Sequence, residues 1–332
     1  MIRIVNWLLT RRCNLSCEYC GIIRKSKIMN DTDLKLELPA NEVIKLLDKF
    51  RTYNPNIFHI FYGGEPFLRR DLSDIIKFCN EKDILYTIIS NSARDIQPTI
   101  LDVMEEAGGF RGYSTSIDPI LLMEPTDRIS QLKSSYGFNF LLKLKKVNDL
   151  VAEVTMTKYN IDHTYDLIKM LSDYGIYSSL TAIDINKNYM YDFSAYSAED
   201  RLIKHSPKIM KLFTKIMNDD SLLIHMKEEI VPLLFSHINS TYDCEMEKSL
   251  HNLTIDSDGT LRTCLRINGG MTIHSIDYAD IFGPDGELKE VFITRRIELE
   301  KKAYCQGCNH TCVMMSKYIN DHEDTENKIV SH

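Results

Sequence analysis

Cys13, Cys17 and Cys20 stand in the run Cys13-Asn14-Leu15-Ser16-Cys17-Glu18-Tyr19-Cys20. A gap of three residues and then of two lets one tight loop present all three sulfurs to a single metal centre. Three thiolates hold three corners of a four-iron cube and leave the fourth iron open to a small chelating ligand. A zinc or electron-transfer site usually closes with four protein ligands. A structural or redox thiol loop is the plainer alternative. The loop follows residues 2–9, a short apolar run of the kind that forms a buried strand.

Further polar residues come at the ends of further apolar runs. Residues 57–62 read as a second strand, ending in Gly63-Gly64-Glu65-Pro66. The two glycines allow close approach of the backbone to a ligand, and Glu65 offers an acceptor for an ammonium. A third strand over 84–89 ends in Ser90-Asn91, and a fourth over 112–117 ends in Ser114-Thr115-Ser116-Ile117-Asp118. Alone, Gly-Gly is usually a turn and Ser-Asn a helix cap. Taken in order at successive strand ends, they form a set.

With that set, the sequence resembles the radical S-adenosylmethionine (SAM) enzymes. The resemblance implies a [4Fe-4S] cluster on Cys13, Cys17 and Cys20, with the amino and carboxylate groups of SAM on its open iron. Reduction would split SAM to a 5′-deoxyadenosyl radical. Cofactor contacts are implied for Tyr19, Gly63, Gly64, Glu65, Ser90, Asn91, Ser116 and Asp118, with the Gly-Gly-Glu turn at the SAM amino group.

Those residues need elements to carry them. To about residue 185 the pattern alternates strand and helix. Apolar positions at helical spacing recur in 39–50, where Pro39 suits a first turn, and in 72–79, 96–104 and 161–174. Strands over 151–157 and 176–183 bring the count to six. Six strand–helix repeats predict an α/β fold with a parallel sheet, either curled into a partial barrel or open and doubly wound. The resemblance selects a partial (β/α)6 TIM-like barrel. Cys79 falls on the apolar face of its helix and reads as a buried small hydrophobe.

The chain is expected to divide into a barrel core at 1–190, a helical bridge at 191–240, a small cysteine-rich unit at 241–318 and a polar tail at 319–332. Cys244, Cys264, Cys305, Cys308 and Cys312 all fall in the third part. Alternation around Asp258-Gly259 reads as a β-hairpin that would carry Cys264 beside Cys244, with Cys305 and Cys308 as a second pair. Four thiolates in two pairs make a closed site for zinc or a second iron–sulfur cluster. The spacing Cys244, fourteen residues, Gly259, four residues, Cys264 is similar to the auxiliary-cluster extension of the SPASM and Twitch subfamilies. Five cysteines rather than seven point to the shorter Twitch form with one auxiliary [4Fe-4S] cluster. Cys312 is then a spare ligand or a thiol that returns hydrogen to a product radical.

Composition sets the outer bounds. Of 332 residues, 44% are hydrophobic and 26% charged, which describes a folded chain and not a disordered one. A net charge of −7 argues against nucleic acid as the main partner. Arg69-Arg70 and residues 143–146 read as solvated helix faces, whereas Arg11-Arg12 either support a negative cluster or merely flank the loop. Residues 222–238 are apolar but interrupted by charges and Pro232, as in a soluble helix or two. No targeting or membrane segment is read, and nine cysteines in such a chain suggest reduced thiols in a cytoplasm. An oxygen-sensitive enzyme is expected.

An auxiliary cluster suggests one fate for a substrate radical, loss of a proton and of an electron to that cluster. The leading expectation is therefore a radical SAM oxidoreductase acting on a small molecule, served by a flavodoxin- or ferredoxin-type electron donor. Asp184, Tyr62 and Arg266 are positional candidates for a general base. The alternative is a peptide- or protein-modifying maturase forming crosslinks, thioethers or epimers, with recognition supplied by a separate protein. A second alternative, a non-catalytic iron–sulfur carrier or sensor, sits poorly with an open three-cysteine site.

Overall fold

The computed structural model describes residues 2–14, 37–91, 100, 102–103, 110–116, 142, 150–156, 161–182, 206–237, 252–259, 261–262, 282–283 and 289. Six strands form in chain order: β1 (Ile4–Thr10), β2 (Phe58–Gly63), β3 (Leu85–Ser90), β4 (Phe110–Ser116), β5 (Leu150–Met156) and β6 (Tyr177–Ala182). Each pairs in parallel with the next. Helices α1 (Ala40–Tyr53), α2 (Leu72–Glu81) and α3 (Ile161–Asp173) provide crossovers between them.

The order β1 to β6 never reverses. Right-handed crossovers in an unreversed sheet lay every helix on the same face. A doubly wound sheet needs a reversal to clothe its second face, and this one has none. The fold is α/β with a partial barrel, a fold that holds ligands at the C-terminal strand ends.

Both edges of the β1–β6 sheet gain further backbone partners, as unpaired edges otherwise invite aggregation. At β6, the Ser178 N–H donates to the Leu223 carbonyl at 2.8 Å and its carbonyl accepts from the His225 N–H at 2.9 Å. At β1, the partner comes from far along the chain. β7 (Asn252–Ile255) pairs in parallel with β1, from Ile4↔Asn252 to Trp7↔Ile255, and β8 (Leu261–Arg262) turns back antiparallel to it. The hairpin expected around Asp258-Gly259 is present, with Gly259 at φ +85°. Its first strand extends the barrel sheet. Two more helices, α4 (Pro207–Met217) and α5 (Lys227–His237), follow β6. No helix among the described residues is long and apolar enough to cross a membrane.

The core lies between β1–β3 and the helices. Val5, Trp7 and Leu9 of β1 pack with Val43, Leu46, Leu47 and Phe50 of α1, and with Phe61 and Tyr86 of the neighbouring strands. Trp7 meets Phe50 edge-on, with centroids 6.1 Å apart. Burial of each large side chain is worth about 1.5–3 kcal/mol. Pro39 corrects one detail: it is the N-cap of α1, in extended conformation, and the first turn begins at Ala40. Cys79 is buried as expected, and burial pushes its thiol above the ordinary range.

A buried histidine makes the core sensitive to acid. The Trp7 indole N–H donates to His59 Nδ1 at 2.9 Å, which requires that nitrogen to be unprotonated. Burial lowers the His59 pKa to about 3 from an ordinary 6.5. The unfolded chain therefore takes the proton first, and stability is lost as pH falls from 6.5 toward 3. About 1.4 kcal/mol should be gone by pH 5.5. Urea unfolding followed by emission of the single tryptophan measures this. A His59→Phe variant that keeps this part of the pH dependence would refute the assignment.

Candidate active site

The C-terminal ends of β1, β2 and β3 converge on one place. β1 ends at Thr10, and the next residues lie against the turn after β2. The Gly64 N–H donates to the Thr10 carbonyl at 2.7 Å, and the Glu65 N–H donates to the Arg12 carbonyl, also at 2.7 Å. The contact is too close for side chains. A Cβ on Gly63 would overlap the Thr10 carbonyl, and one on Gly64 would lie 2.6 Å from the Arg12 carbonyl carbon. Among the described residues, the Gly-Gly pair admits the backbone of the cysteine-loop stem.

Glu65 is 2% exposed, and its carboxylate reaches across to the end of β3. It accepts from the Asn91 N–H at 2.8 Å, the Ser90 hydroxyl at 2.9 Å and the Phe67 N–H at 3.1 Å. Burial pushes its carboxyl above the ordinary range, and those three donors oppose the push. Glu65 thereby locks the β2 turn to β3. Asn91 leaves the strand with its side chain toward β1. Its Nδ2 lies 3.4 Å from Cys13 Sγ and 3.0 Å from Asn14 Oδ1.

Ion pairs hold the stem of the loop. Arg12 grips Glu37 with two nitrogens, at 3.1 and 3.0 Å, and the Thr10 hydroxyl donates to the same carboxylate at 2.5 Å. Arg11 pairs with Asp256, a buried carboxylate just past β7. One residue on, the Ser257 carbonyl accepts from the Leu38 N–H at 2.6 Å. Both arginines thus have protein carboxylates as partners. Arg69 corrects the expectation of a solvated face. It is 2% exposed, pairs with Asp71 through two 2.8 Å bonds, and donates to the Leu9 and Leu38 carbonyls at 2.8 and 2.9 Å. Asp71 in turn accepts from the Ala40 N–H at 2.9 Å. Burial acts to raise the Asp71 carboxyl, but the Arg69 hydrogen bonds and charge outweigh it and hold it below its usual range.

Cys13 is a half-buried thiol at the mouth of this arrangement. A soft sulfur at a strand end, beside an amide donor and a side-chain-free turn, suits an iron–sulfur ligand. Cys79, the other cysteine among the described residues, is sealed in the core. Tyr62 stands one residue before Gly63 with its hydroxyl buried. Ser116 is the last residue of β4, at a position in register with Glu153 of β5. Cys17, Tyr19, Cys20, Asp118, Asp184, Cys244, Cys264, Arg266, Cys305, Cys308 and Cys312 lie outside the described residues.

Some residues near the site escaped the sequence reading. Glu37 and Asp256 carry no motif, and only their partners give them meaning. Glu153, Thr155 and Thr181 are half-buried and alternate with the core residues Ala152, Val154, Met156 and Leu180. They therefore belong to the face turned away from the helices. Alternation along β5 was the available signal.

Comparison with known proteins places this geometry. The family model described as the Radical SAM superfamily matches residues 7–189. The Fe-coproporphyrin III synthase of Methanosarcina barkeri is 29% identical over 133 residues, which span 40% of this chain and 31% of that protein. The match thus takes in less than a third of the Methanosarcina protein. The GTP 3′,8-cyclase of Clostridium botulinum is 26% identical over 289 residues, covering 79% of this chain and 82% of that protein. Among solved structures, SuiB of Streptococcus suis bound to the precursor peptide SuiA aligns with a TM-score of 0.55 at 14% identity, over 80% of this chain and 60% of that one. Native anSMEcpe with bound AdoMet aligns with a TM-score of 0.52 at 14% identity over the full length of both chains. At such identities the structures speak for the fold alone.

Proposed function

Because the chain belongs to the radical SAM superfamily, we propose that it is an enzyme that binds SAM on a [4Fe-4S] cluster held by Cys13, Cys17 and Cys20 and oxidises its substrate. The observation that carries this reading is the meeting of the Cys13 thiol, the Asn91 amide and the Gly63-Gly64-Glu65 turn at three adjacent strand ends. When bound, the cluster and SAM together supply a 5′-deoxyadenosyl radical that abstracts hydrogen from an unactivated carbon. The residues of this chain do the rest. Gly63-Gly64-Glu65 receives the SAM amino group, with the Glu65 carboxylate fixing the turn against β3. Further cofactor contacts are assigned to Ser116, the last residue of β4, and to Asp118.

The substrate is assigned to the sheet face that bears Tyr62, Glu153, Thr155 and Thr181. A second [4Fe-4S] cluster is assigned to Cys244, Cys264, Cys305 and Cys308. β8 runs away from the Cys13 end, and Cys264 follows two residues after Arg262. In the proposed reaction the substrate would give up two hydrogens in all, one of them as a proton to a base such as Asp184 or Tyr62, and a cluster held by Cys244, Cys264, Cys305 and Cys308 would serve as the electron acceptor. SAM is consumed as methionine and 5′-deoxyadenosine, and an external one-electron donor of the flavodoxin or ferredoxin type starts each turnover.

The test is anaerobic reduction of the reconstituted protein with SAM. Formation of 5′-deoxyadenosine supports the reading, and its absence from protein with both clusters loaded sinks it. Adding Glu65→Gln probes the turn. Glutamine presents an N–H₂ where two backbone N–H groups and a hydroxyl already donate, so SAM binding should weaken about ten-fold, or about 1.4 kcal/mol. Equal affinity in the two proteins would show that the turn does not depend on the carboxylate.

A modified peptide is the second reading, favoured by the precursor peptide bound to SuiB. A product two hydrogens short of the substrate supports oxidation. A crosslinked or epimerised peptide would replace it.

A further inference from the structure

The structure assigns to the Asn91 side chain a role toward the cluster thiolate Cys13: we propose that it is a positioning residue that holds this ligand and raises the cluster's reduction potential. The inference rests on the cluster reading above and goes beyond it.

An amide nitrogen carries two hydrogens. Asn91 Nδ2 has two acceptors within reach, Cys13 Sγ at 3.4 Å and Asn14 Oδ1 at 3.0 Å. Both hydrogens are thus spent on consecutive residues at the start of the cysteine loop. The donor itself is fixed from behind. The Asn91 backbone N–H is held by Glu65 at 2.8 Å, the preceding Ser90 hydroxyl by the same carboxylate, and Glu65 is held by the Phe67 N–H at 3.1 Å. Asn91 is 8% exposed, so water cannot easily replace it at the sulfur. The chain of contacts runs from the β2 turn through Glu65 to β3, and from β3 through the amide to Cys13.

An N–H···S bond stabilises the more negative state of a cluster, because reduction adds charge to the sulfurs. Such outer partners also fix the orientation of a ligand and slow its release. Asn91 therefore makes the cluster easier to reduce and harder to strip. The backbone contact to Glu65 survives any side-chain change at this position, so variants keep the strand end.

The test uses the full-length protein reconstituted without oxygen, with Asn91→Ala and Asn91→Asp beside the parent. The midpoint potential is read from the electron paramagnetic resonance signal that SAM perturbs. In Asn91→Ala the reduced-to-oxidised ratio at fixed potential should fall about ten-fold, a shift of about 59 mV to more negative values for one electron. Asn91→Asp places an anion at the sulfur and should shift further in the same direction. Both should lose iron to a chelator several-fold faster than the parent. Loss of iron from both variants on preparation, with unchanged far-UV circular dichroism, would also support the holding role. An unchanged potential with unchanged iron retention overturns the inference, even if SAM cleavage falls. A parent protein with no SAM-perturbed signal overturns the cluster reading itself, and this inference with it.

Discussion

Replacing Cys13, Cys17 and Cys20 together by alanine should abolish reductive cleavage of SAM while iron bound by the C-terminal cysteines remains. The expected effect is a loss and not a reduction. With none of three thiolates left, the loop offers the cube no thiolate, and among the described residues no other cysteine can substitute. Cys79 is sealed in the core, and burial disfavours its thiolate. Iron per chain and 5′-deoxyadenosine formed under reduction are the two readouts. SAM cleavage that persists in the triple variant would end the assignment of the cluster to this loop. Iron falling to nothing would instead show that the two sites load together.

The second large effect is expected at Arg69. Arg69→Met keeps most of the side-chain volume and removes the guanidinium. Asp71 then loses both of its charged bonds, and the Leu9 and Leu38 carbonyls lose their buried donor. Breaking one side of a buried pair costs about 3–5 kcal/mol, and the partial exposure of Asp71 favours the lower end. The surface pair Lys45–Glu42 is the control, where Lys45→Ala should cost less than about 0.5 kcal/mol. Urea denaturation of both variants checks the contrast. A change below about 1 kcal/mol at Arg69 would show that water enters and satisfies the orphaned groups.

The two cases differ in how far the sequence foretold them. The superfamily was legible because cofactor chemistry restricts residue type and spacing, and the strands because they announce themselves by local apolar runs. The six parallel strands fall within a few residues of the expected places for the same reason. Arg69 was not legible. A pair of arginines after a turn looks solvated until the carbonyls of Leu9 and Leu38 are known to converge on it. The same holds for Glu37 and Asp256, whose meaning lies in partners 25 and 245 residues away. Glu65 was singled out as part of a set, but its orientation toward Ser90 and Asn91 follows from tertiary packing that no local pattern encodes. Alternation gave the β7–β8 hairpin but could not give its neighbour, because pairing to β1 is a choice among edges.

That choice of edge has a consequence for how the molecule is made. Arg11 and Asp256 are separated by 245 residues, so at the usual speed of translation, roughly 5–20 residues per second, on the order of ten to fifty seconds pass between their syntheses. During that interval the β1 edge lacks β7, Arg11 lacks its Asp256 partner and Leu38 lacks its Ser257 contact, while Arg12 already has Glu37. The nascent chain therefore carries a sticky strand beside three unliganded thiols until the hairpin emerges. Metal delivered earlier would meet a loop not yet anchored. The anchor between Arg11 and Asp256 is thus completed only once the hairpin has been made.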